Sequence, residues 1–197
     1  MRFEVKSCGP LDTNTIVVRH KGTVLIFDPA CKELASFSLI GGRLYVLLTH
    51  GHWDHIQALS IVPTDVVYVH KEDAPMLKDP YLNGSLRGLM LPITVSIKTV
   101  YVREGLLRLG DITMQVIHTP GHTPGSLSFY FPQDGKAIVG DFLFPGTIGR
   151  TDLPGGSSQS MRASIRKFFS MVESSTLIYP GHGRPFILRS HPLYKKR

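Results

Sequence analysis

No apolar stretch of this sequence approaches the roughly 20 residues needed to cross a bilayer, so a membrane-spanning helix is not expected. Cysteine is nearly absent: Cys8 and Cys31 form no C-x-x-C pair. Two are too few for a disulfide framework, and a reduced, cytoplasmic setting is the default expectation. The opening Met1-Arg2-Phe3-Glu4-Val5-Lys6 lacks the apolar centre of a secretory signal. Basic runs are scarce too. Lys195-Lys196-Arg197 reads as a solvated tail, and the other cations are scattered, which argues against a nucleic-acid arm. The formal net charge of +7 still suits the approach of a small anionic substrate. Repeats, low-complexity segments and linkers are missing, so residues 1–197 are expected to form one domain.

What is present is a succession of short strands. Phe3 to Lys6, Thr15 to Arg19 and Thr23 to Phe27 are rich in β-branched and apolar residues, with Lys21-Gly22 as a tight hairpin turn. A helix is expected from Lys32 to Leu39. Leu44 to Leu48 is a continuous apolar run, the pattern of a strand buried on both faces. A helix over Ile56 to Ile61, a strand at Val66 to Val69 and a short helix at Glu72 to Leu77 follow. Asp79 to Leu91, with Pro80, Gly84 and Gly88, reads as a long surface loop and a candidate lid. Further strands are expected at Leu106 to Leu109, Thr113 to Ile117, Ser126 to Phe131, Lys136 to Val139 and Thr176 to Tyr179, with an amphipathic helix at Met161 to Val172. Two strand-rich halves with helices point to a layered α/β sandwich.

Three of the nine histidines fall within six residues, in Thr49-His50-Gly51-His52-Trp53-Asp54-His55, where a buried strand ends. Residues two apart in extended chain point to one side, so His50 and His52 can grip one cation. A helix starting near Asp54 would aim Asp54 and His55 at a neighbouring position. Imidazoles and a carboxylate suit Zn²⁺, with Fe or Mn as substitutes. A lone histidine at a strand end is usually just a satisfied polar residue. Four strongly hydrated groups packed together there cost several kcal/mol unless a cation compensates.

Three more strand ends carry the same signature. His122 lies in Thr119-Pro120-Gly121-His122-Thr123-Pro124-Gly125, Asp141 in Gly140-Asp141-Phe142, and His182 in Pro180-Gly181-His182-Gly183. Fixed Gly and Pro turns hold such side chains rigidly. No G-x-S-x-G occurs, so no serine nucleophile is suggested.

These motifs, with Asn14, Asp28-Pro29 and Gly149-Arg150-Thr151-Asp152, resemble those of metallo-β-lactamase-fold hydrolases over nearly the whole chain. The likeness extends to the short, single-domain type of the hydroxyacylglutathione hydrolase (glyoxalase II) branch. Gln57-Ala58 departs from that branch, standing where a glycine pair commonly follows the first motif. The resemblance implies a four-layer αββα sandwich with the site at one edge of the sheets. It also implies two divalent ions: His50, His52 and His122 would hold the first, and Asp54, His55 and His182 the second. Asp141 would bridge them, and Asp54 would also orient the attacking water. The implied reaction is hydrolysis of a small thioester or ester, with Arg150 contacting a substrate carboxylate or else tying its own loop to Asp152. Three rivals share the fold: a mononuclear iron persulfide dioxygenase, a phosphodiesterase or nuclease, and a metal-stabilised binding module without catalysis.

The remaining histidines have plain readings. His20 is expected at an exposed hairpin and His191 in the tail. His70 simply follows a strand, and His118 is expected to bond locally. Trp53 either lines the substrate mouth or packs under a helix.

Overall fold

A computed structural model describes residues 1–36, 42–88 and 91–194. The first sheet holds β1 (Arg2–Cys8), β2 (Thr13–His20), β3 (Thr23–Phe27), β4 (Arg43–Leu47), β5 (Val66–Val69) and β6 (Lys98–Tyr101), in that spatial order. β1 to β3 are antiparallel, and β3 to β6 run parallel. The second sheet begins with β7 (Gly105–Leu109), β8 (Ile112–His118), β9 (Leu127–Phe131) and β10 (Lys136–Gly140). A two-stranded ribbon of β11 (Leu143–Phe144) and β12 (Thr147–Ile148) follows. β13 (Leu177–Pro180) and β14 (Phe186–Ile187) then complete the second sheet in the order β14-β13-β10-β9-β8-β7.

Side-chain alternation along the strands divides the apolar residues into three layers. Ile16, Val18, Leu25 and Phe27 meet Met114, Val116, Phe129 and Phe131 between the sheets. Val17, Val24, Ile26 and Val46 face the other way, under Leu34, Ile56 and Leu59. On the far side, Ile117, Tyr130, Ala137 and Val139 pack against a long helix that buries Met161, Ile165, Phe168 and Phe169. Those helical positions recur at the spacing of one face, and Ser157 caps the N-terminus by accepting from the Ser160 N–H. The result is the expected αββα sandwich.

The shorter helices differ from expectation. α1 (Trp53–Ile56) starts within the histidine motif, and only a 3₁₀ turn at Leu59–Ile61 continues it. The helices expected at 32–39 and 72–77 are 3₁₀ turns at Lys32–Ser36 and Ala74–Leu77, and residues 37–39 lie outside those described. Within 79–91 the chain forms α2 (Ser85–Gly88); residues 89–90 lie outside those described. The long helix, α3, spans Ser158–Met171. β6, the β11–β12 ribbon and β14 were not anticipated, being short or weakly patterned.

Two expectations are corrected. Cys8 and Cys31 are joined in a disulfide, with Cα atoms 5.1 Å apart, because β1 runs beside the segment after β3. His191 is buried and bonded to the Thr147 carbonyl rather than placed in a loose tail. Among the described residues no helix is long and apolar enough to cross a membrane.

Candidate metal centre

His50, His52, Asp54, His55, His122, Asp141 and His182 all reach the same edge of the sandwich. His50, His52 and α1 follow β4, His122 follows β8, Asp141 follows β10, and His182 follows β13. Strands that run alongside one another bring these ends together. The ligand atoms fall into two groups of three, His50–His52–His122 and Asp54–His55–His182. Asp141 lies between them: Oδ2 is 3.5 Å from Nε2 of both His122 and His182, and Oδ1 is 3.4 Å from Nε2 of His55. Gly181 permits this convergence, since a Cβ there would collide with Asp141 Oδ1 and sit 2.8 Å from the His55 ring.

The outer nitrogen of each ring sets its inner one. Nδ1–H donates to Asp28 in His55 (3.0 Å), to the Arg150 carbonyl in His122 (2.9 Å) and to the Leu11 carbonyl in His182 (2.8 Å). His50 Nδ1 lies 3.1 Å from Thr49 Oγ1, whose own proton goes to Asp28. Each of these four rings thereby turns an Nε2 lone pair inward, the second half of a metal-ligating histidine. His52 presents its other edge, with Nδ1 2.8 Å from His122 Nε2.

Nε2 of His50, His52 and His55 and Oδ1 of Asp141 are buried without a hydrogen-bond partner. Each orphaned polar atom costs about 1–3 kcal/mol, and four in one cluster are hard to reconcile with a purely structural role. Imidazole and carboxylate donors in two threefold sets fit divalent ions.

Burial lowers the pKa of His50 well below its ordinary value and that of His52 to about 3, and lowers that of His122 as well. For His55 and His182 burial acts the same way but loses. Asp54, Asp28 and Asp141 raise His55 well above its ordinary value, and Asp141 and Asp54 raise His182 to about 10. Burial likewise fails to keep the carboxyls neutral: His55 and His182 bring Asp54 down to about 2 and hold Asp141 well below its ordinary value.

The supporting roles of several residues were not read from the sequence. Thr13 donates its hydroxyl to Asp54 at 2.8 Å. Asn14 ties down the His182 turn by donating to the carbonyls of Pro180 and Gly183. The Asp28 carboxylate also receives the Thr49 N–H at 2.7 Å. Asp73, fully buried, collects the Gly51 and Gly125 N–H groups and the Thr123 hydroxyl, so one carboxylate locks the His50–His52 turn to the His122 turn. Asp28 carried the same signal as Asp141, an acid at a strand end. Asp73 carried none.

Above the cluster opens a cavity of about 440 Å³, lined in part by Leu11, Trp53, Arg87, Gly88, Arg150 and Leu153. Trp53 thus lines the mouth, while its ring is almost wholly buried. Arg150 reaches the cavity, but its Nε and Nη2 donate to Asp152 at 2.8 and 2.7 Å. His118 bonds locally, to the Pro124 carbonyl, and its ring stacks on that of His70 outside the cluster. His20 is half-buried rather than exposed.

The profile of the metallo-beta-lactamase superfamily matches residues 8–182. The chain belongs to that superfamily. It is 36% identical to the probable metallo-hydrolase YqgX of Bacillus subtilis, over 93% of this chain and 90% of the other. It is 34% identical to hydroxyacylglutathione hydrolase GloC of Haemophilus influenzae, over 70% and 68%. Among solved structures, the BLEG-1 B3 metallo-beta-lactamase superposes with a TM-score of 0.88 at 34% identity, covering 98% of this chain and 99% of that one. TTHA1623, solved in a di-iron-bound form, gives a TM-score of 0.76 at 32% identity, covering 96% and 99%. The two solved structures agree with the sandwich.

Proposed function

We propose that the chain is a dinuclear metal hydrolase that cleaves a small thioester, of the S-acyl glutathione kind, or an ester. The observation that carries this reading is the pair of threefold ligand sets with Asp141 between them. His50, His52 and His122 would hold one ion, Asp54, His55 and His182 the other, with Asp141 bridging. Zn²⁺ is the first choice on donor chemistry, with iron supported by the di-iron form of TTHA1623 and manganese the remaining substitute. The thioester draws support from the likeness to GloC, and the hydrolytic class from the likeness to YqgX.

When bound, two divalent ions supply a water of lowered pKa and a Lewis acid for the acyl carbonyl. The protein's own groups do the rest. Asp54, ionised with a pKa near 2 and steadied by the Thr13 hydroxyl, is an acceptor able to orient the attacking water. Trp53 and Leu153 narrow the mouth and keep bulk water from the acyl group.

Elemental analysis of purified protein, alongside thioester, lactone, phosphodiester and β-lactam substrates, tests the reading. Two ions per chain and preferred thioester turnover are expected, and His52→Ala or Asp141→Ala should lose metal and activity together. One tightly held iron with O₂ uptake would replace it with an oxidative reading. Preferred cleavage of a phosphodiester, or of a β-lactam as the likeness to BLEG-1 invites, would replace the substrate class.

A further inference from the structure

Two arginines, Arg87 and Arg150, line the cavity, and their guanidinium groups are not equivalently paired. Arg150 is paired with Asp152, which takes two of its five N–H groups and offsets its charge. Arg87 makes no ion pair with a carboxylate among the described residues. Its Nη2 donates to the Tyr81 hydroxyl at 2.9 Å, and its guanidinium carbon lies 4.8 Å from the centre of the Tyr81 ring. Asp79, the acid nearest in sequence, is occupied with the N–H groups of Tyr81 and Leu82. An aromatic face and a hydroxyl orient the cation without neutralising it.

The backbone carrying Arg87 is held to the site. Asn83, fully buried, donates to the carbonyls of Met76 and Ile93 and accepts from the Ser85 N–H, each at 2.9 Å. Its own carbonyl accepts the Trp53 N–H at 3.0 Å, joining this segment to the first residue of α1, which also carries Asp54 and His55. Gly88 then lies against the indole, where a Cβ would come within 3.0 Å of Trp53 Nε1. The segment expected to be a long surface loop is a fixed wall at this point.

We infer that Arg87 selects the substrate by its charge. Its guanidinium binds a carboxylate on the arm of the ester or thioester while the acyl group faces the histidine cluster. The inference rests on the hydrolase reading for the bond to be cleaved, and it moves the anion contact from Arg150 to Arg87. A guanidinium with N–H groups still available can grip a carboxylate in the paired geometry that a lysine cannot reproduce. The net charge of +7 favours the approach of such a molecule without choosing its contact.

Trp53 is the single tryptophan of the chain and touches this wall, so its fluorescence reports on the cavity. Metal-loaded wild type, Arg87→Gln, Arg87→Lys and Arg150→Gln are titrated with unreactive S-methylglutathione and with its diethyl ester. Wild type should prefer the diacid. Arg87→Gln should reduce that preference roughly tenfold or more, the loss expected for a hydrogen bond to a charged group. Arg87→Lys should restore part of it, and Arg150→Gln should stay within about twofold of wild type. Metal content should not change in any variant. A wild type that binds both probes equally, or an Arg87→Gln protein with wild-type preference, overturns the inference. A larger loss in Arg150→Gln than in Arg87→Gln overturns it too. Because binding is read, not turnover, a chain that holds the diacid through Arg87 yet hydrolyses no thioester keeps this inference and loses the hydrolytic one.

Discussion

Asp28 accepts a hydrogen bond from Nδ1 of His55 at 3.0 Å, with both side chains buried, although neither is near the other in sequence. The same carboxylate receives the Thr49 N–H and hydroxyl, so it orients two consecutive stretches of the first motif. Asp28→Asn would keep the shape but place an N–H₂ against one of these donors. Loss of such a partner typically weakens metal affinity about 10–100-fold. The weakening should fall mainly on the ion held by Asp54, His55 and His182. Competition against a chromophoric chelator measures it; unchanged affinity for both ions would deny Asp28 this role.

The two ligand sets should differ in how strongly pH affects their loading. Burial lowers the pKa of His50 and His52, whereas neighbouring carboxylates raise that of His55 and bring His182 to about 10, so this second set holds protons near pH 7 before metal arrives. A metal entering their set must expel those protons, so its affinity should rise about tenfold per pH unit for each proton released. Calorimetric Zn²⁺ titrations at pH 6 and 8.5 should show one nearly pH-independent equivalent and one that strengthens with pH. In chelated protein the sign for stability is the reverse. The folded pKa of His182 exceeds its ordinary 6.5, so its contribution is full below 6.5 and disappears as pH rises through about 10. The Tm of the chelated protein should fall over that window. Equal pH slopes for the two equivalents would refute the division.

Asp73 gives a test of architecture rather than ligation. Its oxygens serve two N–H groups and a hydroxyl from the two turns that carry His50, His52 and His122, and burial holds its pKa up near 6. Asp73→Asn would turn an amide donor toward groups that are themselves donors. Leaving one or two of them unpaired should cost about 2–4 kcal/mol, with or without metal, by urea denaturation. A cost below about 0.5 kcal/mol, the range of an inconsequential surface change, would mean that the turns hold their positions unaided.

The sequence by itself marked the seven proposed ligands, because His50, His122, Asp141 and His182 follow strands beside Gly or Pro and His52, Asp54 and His55 complete the first motif, a signal local enough to read without coordinates. It determined the layered sandwich through the period-two strands and the helical face of Met161 to Val172, since alternation is a property of neighbouring residues. Only the tertiary structure decided what lies across long separations. It joined Cys8 to Cys31, gave Asp73 its three donors from two distant turns, committed Arg150 to Asp152 and set Arg87 beside Trp53. It also replaced the helix expected over Ile56 to Ile61 with α1 and a 3₁₀ turn, which bury Ile56 and Leu59 against the sheet. Partners separated by tens of residues leave no periodic trace in a single chain, and their pairing is fixed by where the strands end.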